Sequence, residues 1–492
     1  MDNCWDRRRT KKIPRPGPRL KLSMIETNLE SIRYRQNRNH LGRCGQEITR
    51  VGVFLVALLV LFPVCLAAQT TSQTSLAPSQ GSPYGTGGQI PLLFEGESAR
   101  DNQISLTLGA SAFYDDNVLG RNNPRLGDEG MSFTADLAAQ KQTSNLIFTF
   151  DYTPYFMLYR QTSQYDRLNH VADLGLEYRL SPRVVLGLHD YFSYQNGVFP
   201  SLSGQPILSG PNPPTGSNSG IYAYTTRNLS NTGGFDLTFV KSRRNSVTLS
   251  AGYNFLRYGN QSGGPAALYN SRGMSGGVQY QYRVTDHTTI GVLALHQDNT
   301  FTGGVVFGSR LRDQIESGYV SLGSRLSPTL SVMVFGGPQY IRVLGAPAGV
   351  STLNGHFQGA FGGSLTKQAR ATAFDISFDR SVTDSRGLYT SVINTNVGLG
   401  VRRHIIGRWD GNLHANAYRV SAALFQQSTG ATNAVTAGID FTRPVRERSK
   451  LRISYDCIHQ MSSGNLPYFQ SFDRNEVTIG IDFQVKAISL GQ

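Results

Sequence analysis

Apolar and polar residues alternate in short runs from about Asn102 to Val485. Near the C-terminal end Val477, Ile479, Ile481, Phe483 and Val485 share one face, and Thr478, Gly480, Asp482 and Gln484 share the other. In the run before it Leu451, Ile453, Tyr455 and Cys457 alternate with Arg452, Ser454, Asp456 and Ile458. Phe374, Ile376 and Phe378 alternate with Asp375, Ser377 and Asp379, and 172–180 and 247–255 follow the same rule. A period of two sustained this often predicts strands with one apolar and one wet face.

About 18 such segments are predicted, and about 16 is the alternative, because runs such as 409–422 are weakly patterned. They begin near Gln103, Gly130, Asn145, His170, Val184, Asn231, Ser246, Arg272, Thr288, Asp313, Leu330, Gly355, Ala371, Tyr389, Trp409, Thr432, Lys450 and Asn475. Short turns follow the even segments, as at Ser181-Pro182-Arg183, Thr285-Asp286-His287 and Ser327-Pro328-Thr329, and longer Gly/Asn/Ser/Pro loops follow the odd ones. No segment carries enough apolar surface for a strand buried on both sides. In lipid every backbone N–H and C=O must be paired, and a closed barrel does this with strands alone. The predicted fold is therefore all-β, a transmembrane antiparallel up-and-down β-barrel with short periplasmic turns and long external loops.

Composition agrees. Gly 53 and Tyr 23 with charged residues at only 16% suit many strands and turns. A mean hydropathy of -0.27 excludes a helical multispanning protein, whereas a barrel reads as hydrophilic because half of each strand faces water. The net charge of +14 does not indicate a nucleic-acid partner. Residues 1–50 hold 13 Lys/Arg and five Asp/Glu, which accounts for +8 of it.

That basic stretch precedes Val51–Ala68, an apolar run closing on small residues, which reads as a secretory signal peptide cleaved near Ala67 or Ala68. An uncleaved anchor is the alternative. The predicted organisation is a basic extension and signal peptide over 1–68, a flexible periplasmic leader rich in Ser, Thr, Gln, Gly and Pro over 69–101, and the barrel over 102–492. The leader is too short for a folded plug. Cleavage removes Cys4, Cys44 and Cys65 and leaves Cys457, so neither a disulfide within the chain nor a Cys-rich metal site is expected.

Candidate chemistry is sparse. Gly273-Met274-Ser275-Gly276-Gly277 matches G-x-S-x-G, but a nucleophile elbow needs a strand-to-helix turn and this match lies in a predicted strand. His189, His296, His414 and His459 are isolated in strand segments. No catalytic, cofactor or metal site is expected, and a membrane-embedded hydrolase is the third-ranked reading. Asp136, Asp151, Asp173, Glu177, Asp236, Asp375, Asp379, Asp440, Asp456 and Asp482 fall on the polar face of their strands, which makes them candidate lumen charges. Basic residues such as Arg183, Arg243, Arg244, Arg325, Lys367, Arg370, Arg402 and Arg446 gather at the predicted periplasmic turns. Rings of fixed charge bias which solutes pass; the plainer reading is a lumen knitted by Asp–Arg pairs. The long loop Asn196–Tyr222, with Pro200, Pro206 and Pro211, is a candidate constriction, or a cover over the external mouth. Asp115, Asp116, Asp128 and Glu129 offer oxygens to Ca²⁺, against the favoured reading of a solvated acidic loop. Tyr152, Tyr155, Phe156, Tyr159, Tyr191, Phe192, Tyr194, Tyr280 and Tyr282 are read as interfacial aromatic girdles, with ordinary strand propensity as the alternative.

Tyr114-Asp115-Asp116-Asn117, at the end of the first strand, resembles the "Y-D-D-N" signature of β-barrel porins that accompany exopolysaccharide export or biosynthesis in Gram-negative bacteria. Phe472-Asp473-Arg474-Asn475 and the strand Val477–Phe483 resemble their last strand and the C-terminal signal read by the barrel-assembly machinery. The resemblance spans roughly Gln103–Val485, and Lys486–Gln492 depart from it by following the aromatic strand. It implies an outer-membrane porin with a link to polysaccharide-export components. The expected function is passive passage of solutes across the bacterial outer membrane, with outer-membrane lipid and the assembly machinery as partners. A closed structural or surface-binding barrel is the alternative.

Overall fold

The computed structural model describes residues 102–196, 227–259, 269–303, 310–344, 355–384, 391–405, 407–423, 431–462 and 471–491. The predicted signal peptide and leader and the Pro-rich loop with Pro200, Pro206 and Pro211 lie outside them.

The strands are β1 (Gln103–Asp115), β2 (Asp128–Gln142), β3 (Leu146–Tyr159), β4 (Arg167–Ser181), β5 (Val184–Asn196), β6 (Arg227–Val240), β7 (Asn245–Tyr258), β8 (Tyr269–Thr285), β9 (Thr288–Gly303), β10 (Leu311–Ser327), β11 (Leu330–Val343), β12 (His356–Ala369), β13 (Thr372–Asp384), β14 (Ser391–His404), β15 (Asp410–Ala422), β16 (Ala431–Arg446), β17 (Ser449–Ser462), β18 (Phe472–Gln484) and the two-residue β19 (Ile488–Ser489). Each of β1 to β18 pairs antiparallel with its neighbours, and β18 pairs with β1, with Thr107 opposite Gln484 and Asp115 opposite Glu476. The predicted up-and-down barrel is closed, and it has 18 strands. Among the described residues the one helical element is a 3-10 turn, Ser163–Tyr165.

The alternation decides which face is which. Along β18, Val477, Ile479 and Ile481 are 42%, 54% and 55% exposed, whereas Glu476 and Thr478 are 2% and 1% exposed. The same exposed row recurs as Leu174, Tyr178 and Leu180 on β4, Val278, Tyr280 and Tyr282 on β8, and Phe374 and Ile376 on β13. A contiguous exposed apolar surface around a closed wall has no soluble counterpart, and lipid is the solvent that matches it. No helix of the described residues is long and apolar enough to cross a membrane; the strands do so.

Short and long connections alternate as expected. Pro182-Arg183, Asp286-His287, Pro328-Thr329, Arg370-Ala371 and Glu447-Arg448 close two-residue turns, all at one end. Register shifts sit just before four of them, between Arg179/Ser181, Arg283/Thr285, Arg325/Ser327 and Pro444/Arg446. An extra residue there increases the local twist.

The residues after β18 extend the ladder. The Val485 N–H donates to the Leu106 carbonyl and the Leu490 N–H to that of Asn102, while Ile488 and Ser489 pair with Ile104 and Gln103. Deleting 486–492 removes bonds worth about 1 kcal/mol each. The truncated chain is expected to fold and to lose about 1–3 kcal/mol, read as a lower denaturant midpoint in detergent.

Candidate functional site: the inner wall and outer mouth

The ten carboxylates singled out from the sequence all sit on the face opposite the exposed apolar rows, which is the inner wall. Their surroundings differ by sector. On β2–β4, Asp136 lies opposite Thr107 and accepts a hydrogen bond from the Thr153 hydroxyl at 3.1 Å. Asp151 lies directly opposite Asp173, and Glu177 is four residues nearer the short-turn end of β4. Among the described residues no Lys, Arg or His lies within 4 Å of Asp136, Asp151 or Asp173. The inner face of β2, β3 and β5 carries no Lys or Arg, and that of β4 carries only Arg167 and Arg179 at its two ends. Like charges directly opposite on a sheet repel, so this acidic stripe is a standing negative field in the lumen.

Elsewhere most of the carboxylates have partners. His414 lies 3.2 Å from Asp456 and 3.7 Å from Asp440, whose Oδ2 also accepts from Asn412 at 3.3 Å. Arg452 is 3.6 Å from Asp482, and His189 is 3.7 Å from Asp236. Asp379 is buried and accepts from the Ser381 hydroxyl at 3.4 Å. Asp375 faces Gly400. The histidines isolated in sequence thus each meet a carboxylate of a neighbouring strand. His296 with Glu316, and His459 with Asp473, do so on the outer face.

The His414 ring lies beside Gly438. A Cβ at Gly438 would stand 2.2 Å from Asp456 Oδ1 and 2.4 Å from His414 Cε1. Gly438→Val is therefore expected to cost about 1–3 kcal/mol by overpacking, read as a lower unfolding midpoint. Gly323→Ala, where a Cβ meets nothing within 4 Å, serves as the neutral control.

At the long-loop end two pieces of chain turn inward. Val382 on β13 joins Phe301, Leu311, Ile315, Ile341 and Val343 in a buried apolar cluster. Its N–H donates to Gln339 Oε1 at 2.8 Å, and the Ser391 hydroxyl donates to Asp313. Gln339 and Asp313 belong to the inner faces of β11 and β10, so the outer end of the β13–β14 hairpin leans into the mouth. The first loop does the same: Val118 and Leu119 are buried, and Val118 packs with Phe113, Tyr155, Met157 and Tyr159.

That loop rests on the closing seam. Asp115 accepts two bonds from Arg474, Nε at 3.0 Å and a terminal nitrogen at 2.9 Å, and Arg474 also donates to Glu476. Asp116 accepts from the Asn475 backbone N–H at 2.7 Å and from its side chain at 2.6 Å. Asn117 donates to the Asp473 carbonyl at 2.7 Å. The Y-D-D-N and F-D-R-N motifs, read as two separate signatures, are two halves of one lock between β1 and β18.

Three expectations change here. Asp115 and Asp128 are buried at 0% and 3% exposed, so they form neither a solvated acidic loop nor, with Asp116 and Glu129, a cation cup. Asp128 accepts from the Thr162 N–H at 2.8 Å, the Thr162 hydroxyl at 2.7 Å and the Gln161 N–H at 3.0 Å, Glu129 pairs with Arg160, and Asp116 pairs with Arg125. Among the described residues no group of carboxylates, Cys and His is arranged to hold a metal. Of the girdle aromatics, Phe156, Tyr280 and Tyr282 are exposed on the outer face, but Tyr155 and Tyr159 are buried inside, and Tyr191, opposite Asp173, also faces in. Ser275 sits mid-strand in β8, facing Gly252 and Gln297, with no elbow.

No protein-family model matches this chain, and no curated protein matches it. Among solved structures it is similar in layout to Pseudomonas aeruginosa OccK2 (OpdF), at 12% identity over 78% of this chain and 98% of that one, with a TM-score of 0.41. The outer membrane protein opdK from Pseudomonas aeruginosa gives 12% identity, 78% and 99% coverage and a TM-score of 0.40. The siderophore receptor PirA from Pseudomonas aeruginosa gives 10%, 77% and 80%, and 0.37.

Proposed function

We propose that this chain is an outer-membrane pore through which hydrophilic solutes pass passively, with a preference for cations. The observation that carries the reading is the pairing of two faces on one closed wall. An exposed apolar outer row suits lipid, and a polar inner row carries Asp136, Asp151 and Asp173 without a cationic neighbour. Fixed charge at close quarters selects by sign, and the inward-leaning mouth sets which sizes reach it. The two interlocked motifs support the narrower assignment to a polysaccharide-export system, in which the lumen would pass saccharide or its fragments. In this reading the barrel-assembly machinery inserts the chain after export and cleavage near Ala67 or Ala68, and the protein performs no catalysis.

The test is planar-bilayer conductance of the chain from Gln69, refolded and reconstituted, with reversal potentials in asymmetric salt. Steady steps with a cation-selective reversal potential are expected. Folded protein, shown by a heat-dependent shift on electrophoresis, that gives no conductance would overturn the pore reading in favour of a structural or surface-binding barrel.

A further inference from the structure

The outer wall is not uniformly apolar. Across β8–β12 a groove of about 410 Å³ opens on the lipid side. On the outer face it is lined by Gly276, Val278, Ala294, Gly318 and Pro338, with the His296–Glu316 pair at its upper end. Ala294 lies opposite Val278 and Gly318, and Pro338 lies opposite Gly359 beside the groove. A Cβ at Gly318 or Gly359 would meet nothing within 4 Å. Tyr340 and Phe357, with ring centroids 4.8 Å apart, form one wall.

Directly above the groove the outward residues become cationic. Arg272 and Arg312 both lie opposite Thr300, and Arg342 lies opposite Gln314, to which it donates. Arg312 is paired with Asp298. Among the described residues neither Arg272 nor Arg342 has a carboxylate within 4 Å, and the adjoining segments 260–268, 304–309 and 345–354 contain no Asp or Glu. The carboxylates of the same outer face, Asp298 and Glu316, are paired with Arg312 and His296, so among the described residues none is left to pair with Arg272 or Arg342.

Height fixes what can. His296 is nine residues above the turn residue His287, which at about 2.6 Å of climb per tilted residue puts it about 23–25 Å up the wall. That matches the ~25 Å apolar band of such barrels. The groove therefore ends inside the hydrocarbon, and the arginines stand at headgroup level. Space beside a wall forfeits dispersion contacts unless something fills it. We infer that this face holds a phosphate-bearing lipid of the outer leaflet, with one acyl chain in the Gly318–Gly359 groove and its phosphate between Arg272 and Arg342. The leaflet assignment rests on the outer-membrane reading above.

The experiment uses the full refolded chain in mixed micelles with lipid A, its dephosphorylated form, or phosphatidylcholine, and native mass spectrometry reads the bound lipid. Lipid A is expected to be retained at least fivefold more than either control. Retention should fall at least fivefold in R272A/R342A and in G318L, whose Cβ meets nothing within 4 Å, and remain unchanged in K367A at the opposite end of the wall. Equal retention of the dephosphorylated lipid, or full retention by both groove variants, would overturn the inference. So would loss of a multimer in R272A/R342A, which would identify the occupant as a second copy. Conductance should be unchanged in R272A/R342A, so failure here and failure of the pore reading are separable.

Discussion

Arg474→Met is expected to open the barrel at its closing seam. Asp115 and Glu476 face each other directly across β1 and β18, both almost fully buried, and Arg474 lies between them at 2% exposure. Without the guanidinium, two buried carboxylates confront each other with only Arg167 nearby to offset them. Breaking a buried ion pair on one side costs about 3–5 kcal/mol, and a chain stabilised by roughly 5–15 kcal/mol cannot absorb that easily. The folded fraction, read from the heat-dependent electrophoretic shift, should fall sharply, with a large drop in denaturant midpoint. Asp115→Leu and Glu476→Leu added to Arg474→Met should recover much of the loss, because replacing a whole buried charge cluster by apolar residues is close to neutral. Arg125→Ala breaks a pair whose side chains are 41% and 22% exposed and should change stability by less than about 1 kcal/mol. An Arg474→Met chain as stable as its parent would show that the ladder alone closes the barrel.

The seam also marks where the sequence stops being readable. Strands are legible because a two-sided wall forces a period of two, and eleven of the eighteen starts lie within a residue of the observed ones, with Gln103, Val184, Thr288 and Leu330 placed without error. The worst starts, Asn231 against Arg227, then His170 against Arg167, Arg272 against Tyr269 and Asn475 against Phe472, lie at the long-loop ends. There both faces are wet or packed under loops, so alternation fades. Tyr155, Tyr159 and Tyr191 look like interfacial rings by position alone, but parity within the strand, not closeness to its end, decides which way a ring points. The lock between Asp115 and Arg474 joins residues 359 apart in sequence, and nothing local in either motif names its partner. His414 and Asp456 likewise meet only through a register set across the 41 residues between them. The inward lean of β13–β14 left no pattern, since Val382 carries the parity of an outward residue. That parity is overridden because the described ends of β13 and β14 lean onto the inner faces of β11 and β10.

Asp136→Asn, Asp151→Asn and Asp173→Asn combined should largely abolish cation preference. The substitutions are nearly isosteric and keep a hydrogen-bonding group in the wet lumen, so the wall should fold normally, and removing the repulsion between Asp151 and Asp173 should even favour it. One unit charge acts on an ion about 8 Å away with roughly 2 kcal/mol at an effective dielectric of 20. Salt at 0.1 M screens over about 10 Å and leaves a fraction of this. Three such charges on adjacent strands, with Arg167 and Arg179 confined to the two ends of the stripe, then shift the cation-to-anion permeability ratio several-fold. The reversal potential in a tenfold salt gradient should move toward zero, while conductance in 1 M salt, where the Debye length is about 3 Å, should change little. The control is Asp440→Asn, whose carboxylate already faces His414 and Asn412 and should contribute less. If the triple variant keeps the parental reversal potential, the stripe is not what the permeating ion feels, and the selective element lies instead at the narrowed mouth, where the β13–β14 end and the first loop meet the solute before the acidic wall does.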